Sequence, residues 1–141
     1  MNAVFDTNVL AYALFGVQDR AEEALAVLDA ATSVLAPDSV WAELVNTAWQ
    51  YARTGLVDAA IAAEALADAR SLLSATMPAR DLSADALSLA IAADHPAYDT
   101  LFIAVARATG TRVVSYDESL RTRFPDDVVY PAEVLSPDGP P

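Results

Sequence analysis

Residues 2–10 read Asn-Ala-Val-Phe-Asp-Thr-Asn-Val-Leu, a short apolar run that ends in an acidic residue. The apolar run predicts a buried strand over Asn2–Phe5, and the spacing of apolar residues over 9–15 predicts a helix. Asp6 stands between them. In an open parallel sheet such a junction lies at the carboxyl end of a strand, where sites form. The opening stretch therefore predicts an α/β protein with a polar group at that edge of its sheet.

The rest of the chain alternates in the same way between short strands and helices. Further strands are predicted over 33–36, 80–82, 112–116 and 128–130. Helices are predicted over 21–31, from Asp38 or Ser39 as N-cap to 53, over 57–75, from Ser83 as N-cap to 93, over 97–109, and as a short turn over 117–123. This order predicts a mostly parallel sheet of four to five short strands with helices on both faces. We expect one domain over 1–135 and a flexible tail over 136–141.

Composition narrows the chemistry. The chain has 141 residues and is 55% hydrophobic, which is enough for one domain with a real core. It has no cysteine, so disulfides and thiolate metal sites are excluded. Its single histidine, His95, excludes His-rich zinc sites, and no partner for it is apparent in the sequence. We therefore expect His95 to be a loop residue without a catalytic role.

The chain is strongly acidic. The net charge is −12, and all eight basic residues are arginine. This argues against sequence-blind coating of nucleic acid, which depends on neutralising phosphates. It leaves open a nuclease in which metal ions and a few arginines bind the substrate. No basic leader and no apolar run of about 18 residues is present, so we expect a cytoplasmic protein without a membrane segment.

Four acidic residues stand at strand ends or on apolar helices: Asp6, Glu43, Asp99 and Asp117. Each has an ordinary structural explanation. Asp6 and Asp117 can be N-caps, and Glu43 can interact favourably with the positive end of a helix. Asp99 is the hardest to explain in this way, because its neighbours one turn on are apolar and its helix should be buried.

If the fold brings these four carboxylates together, a cation must accompany them. Two such charges ~4 Å apart repel by about 4 kcal/mol even at an effective dielectric of 20. Mg²⁺ and Mn²⁺ are the natural candidates, because both prefer oxygen ligands. Ser115 could reach the same site. The set predicts a metal-dependent enzyme of phosphate chemistry.

Four ordered motifs carry a resemblance to a known family. They are Val4-Phe5-Asp6-Thr7-Asn8-Val9-Leu10, Ser39-Val40-Trp41-Ala42-Glu43-Leu44, Ala97-Tyr98-Asp99-Thr100-Leu101-Phe102-Ile103-Ala104 and Ser115-Tyr116-Asp117-Glu118-Ser119-Leu120. In order and spacing they resemble the motifs of PIN domains, especially the small VapC-like toxins of bacterial toxin–antitoxin pairs. The resemblance extends to about residue 135.

The resemblance implies a three-layer α/β/α PIN fold, usually a homodimer, that cleaves RNA with Mg²⁺ or Mn²⁺ and is blocked by a small antitoxin. By matching positions, the metal-site and catalytic carboxylates are Asp6, Glu43, Asp99 and Asp117, with Asn8 and Ser115 as supporting residues. Asp6 and Asp99 would be the primary ligands. Glu43 would bind the metal or orient water, and Asp117 would complete a second metal position or hold a metal-bound water.

Two other classes of α/β enzyme also use an aspartate after the first strand. A haloacid-dehalogenase phosphatase needs Asp-x-Asp after its first strand, but Asn8 holds the third position here. A response-regulator receiver normally uses a lysine, and the chain has none. A PIN-like binding module without catalysis, and a PIN nuclease of RNA processing without an antitoxin, both remain open alternatives.

Overall fold

A computed structural model describes residues 1–16 and 19–139. Its five strands form one sheet in the order β3-β2-β1-β4-β5, and every described pair is parallel. The elements are β1 (Asn2–Phe5), α1 (Thr7–Phe15), α2 (Ala21–Asp29), β2 (Ser33–Pro37), α3 (Val40–Arg53), α4 (Ala59–Leu72), β3 (Ala75–Met77), α5 (Ala79–Ala93), α6 (Ala97–Thr109), β4 (Val113–Val114), α7 (Glu118–Arg123), β5 (Val128–Val129) and α8 (Pro131–Leu135). The predicted α/β class and three-layer arrangement are confirmed.

The strand order reverses beside β1. The chain first moves outward from β1 to β2 and β3, and then returns to place β4 and β5 on the other side of β1. Val4 pairs with Val113 and Phe5 with Val114, so β1 and β4 end side by side. A crevice outside the carboxyl ends of the strands is expected at such a switch point. The fold thus brings the residues after β1 and β4 to one place.

The core is built from the strands and from α1, α3 and α6. Its largest fully buried side chains include Phe5, Leu10, Leu44, Phe102 and Ile103. Burying each such side chain contributes roughly 1.5–3 kcal/mol. Because these residues flank the acidic positions on β1, α3 and α6, the core fixes the backbone from which the candidate site residues project.

The third strand lies earlier than its prediction over 80–82. Residues Ala75–Met77 pair with Leu35–Pro37, and α4 ends at Leu72 instead of residue 75. Pro78 explains the difference, since its extended backbone ends the strand and starts α5. Residues 80–82 therefore lie in a helix. Ser83 lies inside α5 and its Oγ donates to the Ala79 carbonyl, so its predicted cap is also wrong.

Helix α3 begins at Val40 with Ser39 in the N-cap position, as predicted, but the capping contacts differ. Neither Asp38 nor Ser39 makes a side-chain cap bond to α3. Asp38 Oδ1 accepts a hydrogen bond from the Ala79 amide at 2.8 Å, so it joins this corner to the start of α5. The sequence signal was correct in type, because Asp38 does satisfy a free helical amide, but it satisfies the amide of another helix.

The C-terminal region holds a helix that the sequence analysis missed. Tyr130, predicted to be part of the last strand, precedes α8, and Pro131 occupies the first helical position. The helix ends at Leu135, where the predicted tail begins. The single-domain division and the flexibility of the tail stay predictions. Residues 140–141 of that tail lie outside the described residues.

Candidate active site

All four acidic residues lie at the N-terminal ends of helices. Asp6 and Asp117 precede α1 and α7, where Asp6 Oδ1 accepts from the Thr7 amide at 2.8 Å and Asp117 Oδ1 from the Leu120 amide at 3.0 Å. Glu43 and Asp99 lie in the first turns of α3 and α6. The positive ends of the four helices favour carboxylates. The capping interpretation of Asp6 and Asp117 is therefore correct, and it is compatible with a shared site.

Asp6 is held by residues that follow the neighbouring strand. The Ser115 hydroxyl donates to Asp6 Oδ2 at 2.7 Å, and Asn8 Nδ2 approaches the same oxygen at 3.4 Å and Ser115 Oγ at 3.2 Å. Ser115 is fully buried and Asp6 is 6% exposed. The pKa of Asp6 is raised to about 6, chiefly by burial and further by the charges of Asp99 and Asp117, against the lowering effect of the Ser115 hydrogen bond. The first and fourth motifs thus form one hydrogen-bonded unit.

Glu43 is the least satisfied of the four carboxylates. Its Oε2 is buried and has no hydrogen-bond partner among the described residues, and the Thr7 hydroxyl is in the same condition. Burial, together with the charges of Asp6 and Asp99, raises the pKa of Glu43 to about 7. The Thr7 hydroxyl lies close enough to offset part of this, although the two groups form no hydrogen bond of normal geometry. A cation or a hydrogen-bond donor beside Glu43 would therefore stabilise its ionised form.

Asp99 has a partner that the sequence analysis did not find. His95 Nε2 lies 2.8 Å from Asp99 Oδ2, and the two side chains are 7% and 26% exposed. The expectation that His95 is a loop residue without a partner is wrong on this point. The two residues have i, i+4 spacing, but His95 precedes α6, so the helical rule for such pairs does not predict their contact from the sequence.

The four carboxylates line one cavity of about 360 Å³. Volume does not single this cavity out, because others on the surface measure about 270 to 420 Å³. Its donor set does, because Asn8 and a polar row on α3 line it together with the four acidic residues. That row comprises Asn46, Thr47 and Gln50, three, four and seven residues after Glu43. This helical spacing could have predicted the row from the sequence.

The carboxylate oxygens of the cavity fit a hard divalent cation as ligands. Glu43 Oε2 is a buried acceptor with no donor among the described residues, and its three companions are also carboxylates. Ligand atoms of Asp99 and Asp117 lie within 4.8 Å of each other, so these two carboxylates are already close enough for one ion. Both Mg²⁺ and Mn²⁺ accept oxygen ligands of this kind.

One arginine borders this region without an acidic partner among the described residues. The Arg20 guanidinium lies over the Tyr116 ring, 4.5 Å from its centre, and Tyr116 stands between Ser115 and Asp117. Tyr12, which lines the cavity, meets the same ring edge-on at 5.2 Å. A positive group therefore lies beside the acidic cavity of a protein whose net charge is −12.

No helix in the described part of the chain is long and apolar enough to cross a bilayer.

Comparison with known proteins agrees with this geometry. The sequence profile of the PIN domain matches residues 3–123. The chain is also similar to Ribonuclease VapC3 of Pyrobaculum aerophilum, with 27% identity over 127 residues, which covers 89% of this chain and 96% of that protein. The matched region contains all four acidic residues and both supporting residues. With its parallel sheet and its acidic cavity at the β1–β4 switch point, the chain belongs to the PIN-domain family.

Proposed function

We propose that this protein is a divalent-metal-dependent endoribonuclease and the toxin of a VapBC-type toxin–antitoxin pair. The observation that carries the proposal is the convergence of Asp6, Glu43, Asp99 and Asp117 on one cavity, where a buried Glu43 oxygen has no donor within residues 1–16 and 19–139. Membership of the PIN family and the likeness to a ribonuclease support RNA as the substrate.

The four carboxylates would hold Mg²⁺ or Mn²⁺. Asp6 and Asp99 are proposed as the primary ligands, with Asp117 completing the set. When bound, the cation supplies positive charge for the scissile phosphate and makes a water molecule more acidic. Ser115 and Asn8 hold Asp6 in place through the hydrogen bonds described above. The proposed reaction needs no protein nucleophile, because water is the attacking group.

Glu43 is proposed to orient the attacking water. Glu43 lines the cavity. Its Oε2 has no hydrogen-bond partner among the described residues, so it is available to accept a hydrogen bond from water. Burial raises its pKa to about 7, which suits a group that accepts a proton near neutral pH. Arg20 lies where it can contact an RNA phosphate next to the cavity.

Partners follow from the same proposal. A small antitoxin would cover the acidic cavity, and the active form would be a homodimer acting in the cytoplasm. These three statements rest on the family likeness and stay predictions. A PIN nuclease without an antitoxin would share the whole catalytic set, so a co-purifying small protein that blocks cleavage distinguishes the two.

Cleavage of total RNA by partner-free protein tests the proposal. We expect discrete cleavage with Mg²⁺ or Mn²⁺, none with EDTA, and at least a hundredfold loss in Asp99→Asn, because removal of a single catalytic electrostatic group costs about this much. Asp85→Asn is the matched control, since Asp85 is exposed on α5 and away from the cavity. If wild-type protein neither cleaves RNA nor binds metal, the proposal of an enzyme is wrong, and a PIN-like binding module without catalysis is favoured.

A further inference from the structure

His95 contacts Asp99 and does not itself line the acidic cavity. Its side chain is only 7% exposed, while that of Asp99 is 26% exposed. The ring meets Phe124 edge-on, with ring centres 6.3 Å apart and an angle of 89° between the planes. The imidazole is therefore packed in place beside Asp99.

The backbone around His95 is fixed by contacts that do not involve Asp99. Asp94, just before it, has a left-handed backbone (φ 50°) and is the one non-glycine residue with positive φ in the described part of the chain. The His95 amide donates to the Ala90 carbonyl at 3.1 Å. Arg123 donates to the Ala93 carbonyl at 2.6 Å, which ties α7 to the same corner. A strained conformation of this kind persists only where its surroundings determine it.

The chemistry of the pair assigns the proton. An ionised carboxylate only accepts hydrogen bonds, so a contact of 2.8 Å requires the hydrogen on His95 Nε2. This bond holds Asp99 Oδ2. Asp99 Oδ1 has no hydrogen-bond partner among the described residues, and it is the oxygen left for the cavity. The pair thus fixes the orientation of a carboxylate that has one oxygen free to bind.

We propose that His95 is a positioning residue, which donates Nε2–H to Asp99 Oδ2 and orients Asp99 toward the divalent cation without binding the ion. The inference rests on the proposed function, since it requires Asp99 to be a ligand. Outer partners of this kind typically change metal affinity or activity by 10- to 100-fold when they are removed. The rival arrangement is direct ligation by His95, whose ligand atom lies within 4.8 Å of those of Asp99 and Asp117.

The single histidine allows a direct test by nuclear magnetic resonance. Because the chain has one histidine, the ring nitrogen signals of a tag-free, ¹⁵N-labelled sample belong to His95 alone. We expect Nε2 to carry its hydrogen in EDTA and equally with saturating Mg²⁺. Loss of the Nε2 hydrogen when Mg²⁺ binds would overturn the inference, because a nitrogen that binds a metal cannot donate.

Mn²⁺ affinity of partner-free protein, read from the electron paramagnetic resonance of free Mn²⁺, tests the energetic consequence. We expect His95→Ala to weaken binding by about 10- to 100-fold. His95→Gln should stay within a fewfold of wild type, because its amide can donate from nearly the same place. Thr109→Ala, at the far end of α6, is the matched control and should bind as wild type does. Circular dichroism confirms that each variant is folded.

The outcomes separate the inference from the proposed function. Wild-type affinity in His95→Ala, or equal weakening in His95→Ala and His95→Gln, would overturn the positioning role and leave the metal site intact. Absence of Mn²⁺ binding by wild-type protein would overturn the metal site and the inference together.

Discussion

Glu43 combines two properties that are costly in a folded protein without bound metal. Its carboxylate is partly buried, one of its oxygens has no hydrogen-bond partner in the described part of the chain, and it stands near the negative charges of Asp6 and Asp99. Like charges and burial both disfavour the ionised form. A group selected for stability alone would be replaced by an uncharged residue. At the scale of single residues, the carboxylates that form the site therefore lower the stability of the metal-free protein.

Glu43→Gln should stabilise the metal-free protein at pH 8. The amide keeps the shape of the side chain and removes the charge, and we expect a gain on the order of 1–2 kcal/mol after allowance for solvent screening. Urea unfolding in EDTA measures it. Glu64→Gln is the matched control, because Glu64 is exposed on α4, and it should leave stability unchanged. Destabilisation by Glu43→Gln would show that the carboxylate has a stabilising partner.

The sequence predicted the site residues better than the contacts between them. Asp6, Glu43, Asp99 and Asp117 were named from the sequence, and they do line one cavity. The His95–Asp99 contact was missed, because it depends on a left-handed turn at Asp94 that only the packed α5–α6 corner determines. Local pattern cannot supply such a conformation.

At the scale of elements, β3 was the least predictable strand, whereas β1, β2, β4 and β5 lie within their predicted ranges or extend one residue beyond them. Residues Ala75–Met77 resemble the end of a helix in sequence, and only their pairing with β2 makes them a strand. Three-residue strands carry too little local preference to decide their own structure, and tertiary context decides instead. Helices with long apolar stripes, such as α6, were predicted within a residue or two. Helix α8 has five residues and was missed for the same reason as β3.

Helices α5 and α6 are joined through a buried hydroxyl. Thr100 is fully buried, and its Oγ1 donates to the Ala86 carbonyl at 2.7 Å. Thr100 follows Asp99 directly, so this bond helps to set the rotation of α6 that aims Asp99 at the cavity. The orientation of Asp99 in the site therefore depends on the packing of α5 against α6.

Thr100→Val should destabilise the protein by about 1–3 kcal/mol, because the Ala86 carbonyl loses its side-chain donor while the volume is conserved. The midpoint of urea unfolding should fall with an unchanged slope. Thr122→Val is the control, since its hydroxyl bonds a carbonyl on the exposed face of α7. A loss in Thr122→Val as large as that in Thr100→Val would contradict the role of the buried bond.

At the scale of the whole molecule, the pH dependence of stability should have an unusual sign above pH 5. The raised pKa values of Asp6 (about 6) and Glu43 (about 7) mean that the folded protein holds protons that the unfolded chain has released. Their contribution is fully present below about pH 4 and is lost as pH rises to about 7. Glu133 acts oppositely: hydrogen bonds from Arg121 and the Tyr130 amide lower its pKa to about 2, so its contribution is lost as pH falls from about 4.5 to 2.

Metal-free protein should therefore melt at a higher temperature at pH 5.5 than at pH 8. Saturating Mg²⁺ should raise the melting temperature at pH 8 more than at pH 5.5, since it binds the ionised carboxylates. Scanning fluorimetry with EDTA or Mg²⁺ measures both effects. A melting temperature in EDTA that rises from pH 5.5 to pH 8, or a Mg²⁺ effect that is larger at pH 5.5, would contradict the proposed electrostatics of the cavity.

The central claim is that the carboxylate cavity hydrolyses RNA with a divalent cation and water as the attacking group. Analysis of the product ends from partner-free protein, beside Asp99→Asn and an EDTA sample, tests it most directly. We predict metal-dependent products that carry no 2′,3′-cyclic phosphate and that are absent in the variant and in EDTA. Cyclic phosphate ends, or cleavage that persists in EDTA or in Asp99→Asn, would contradict the account.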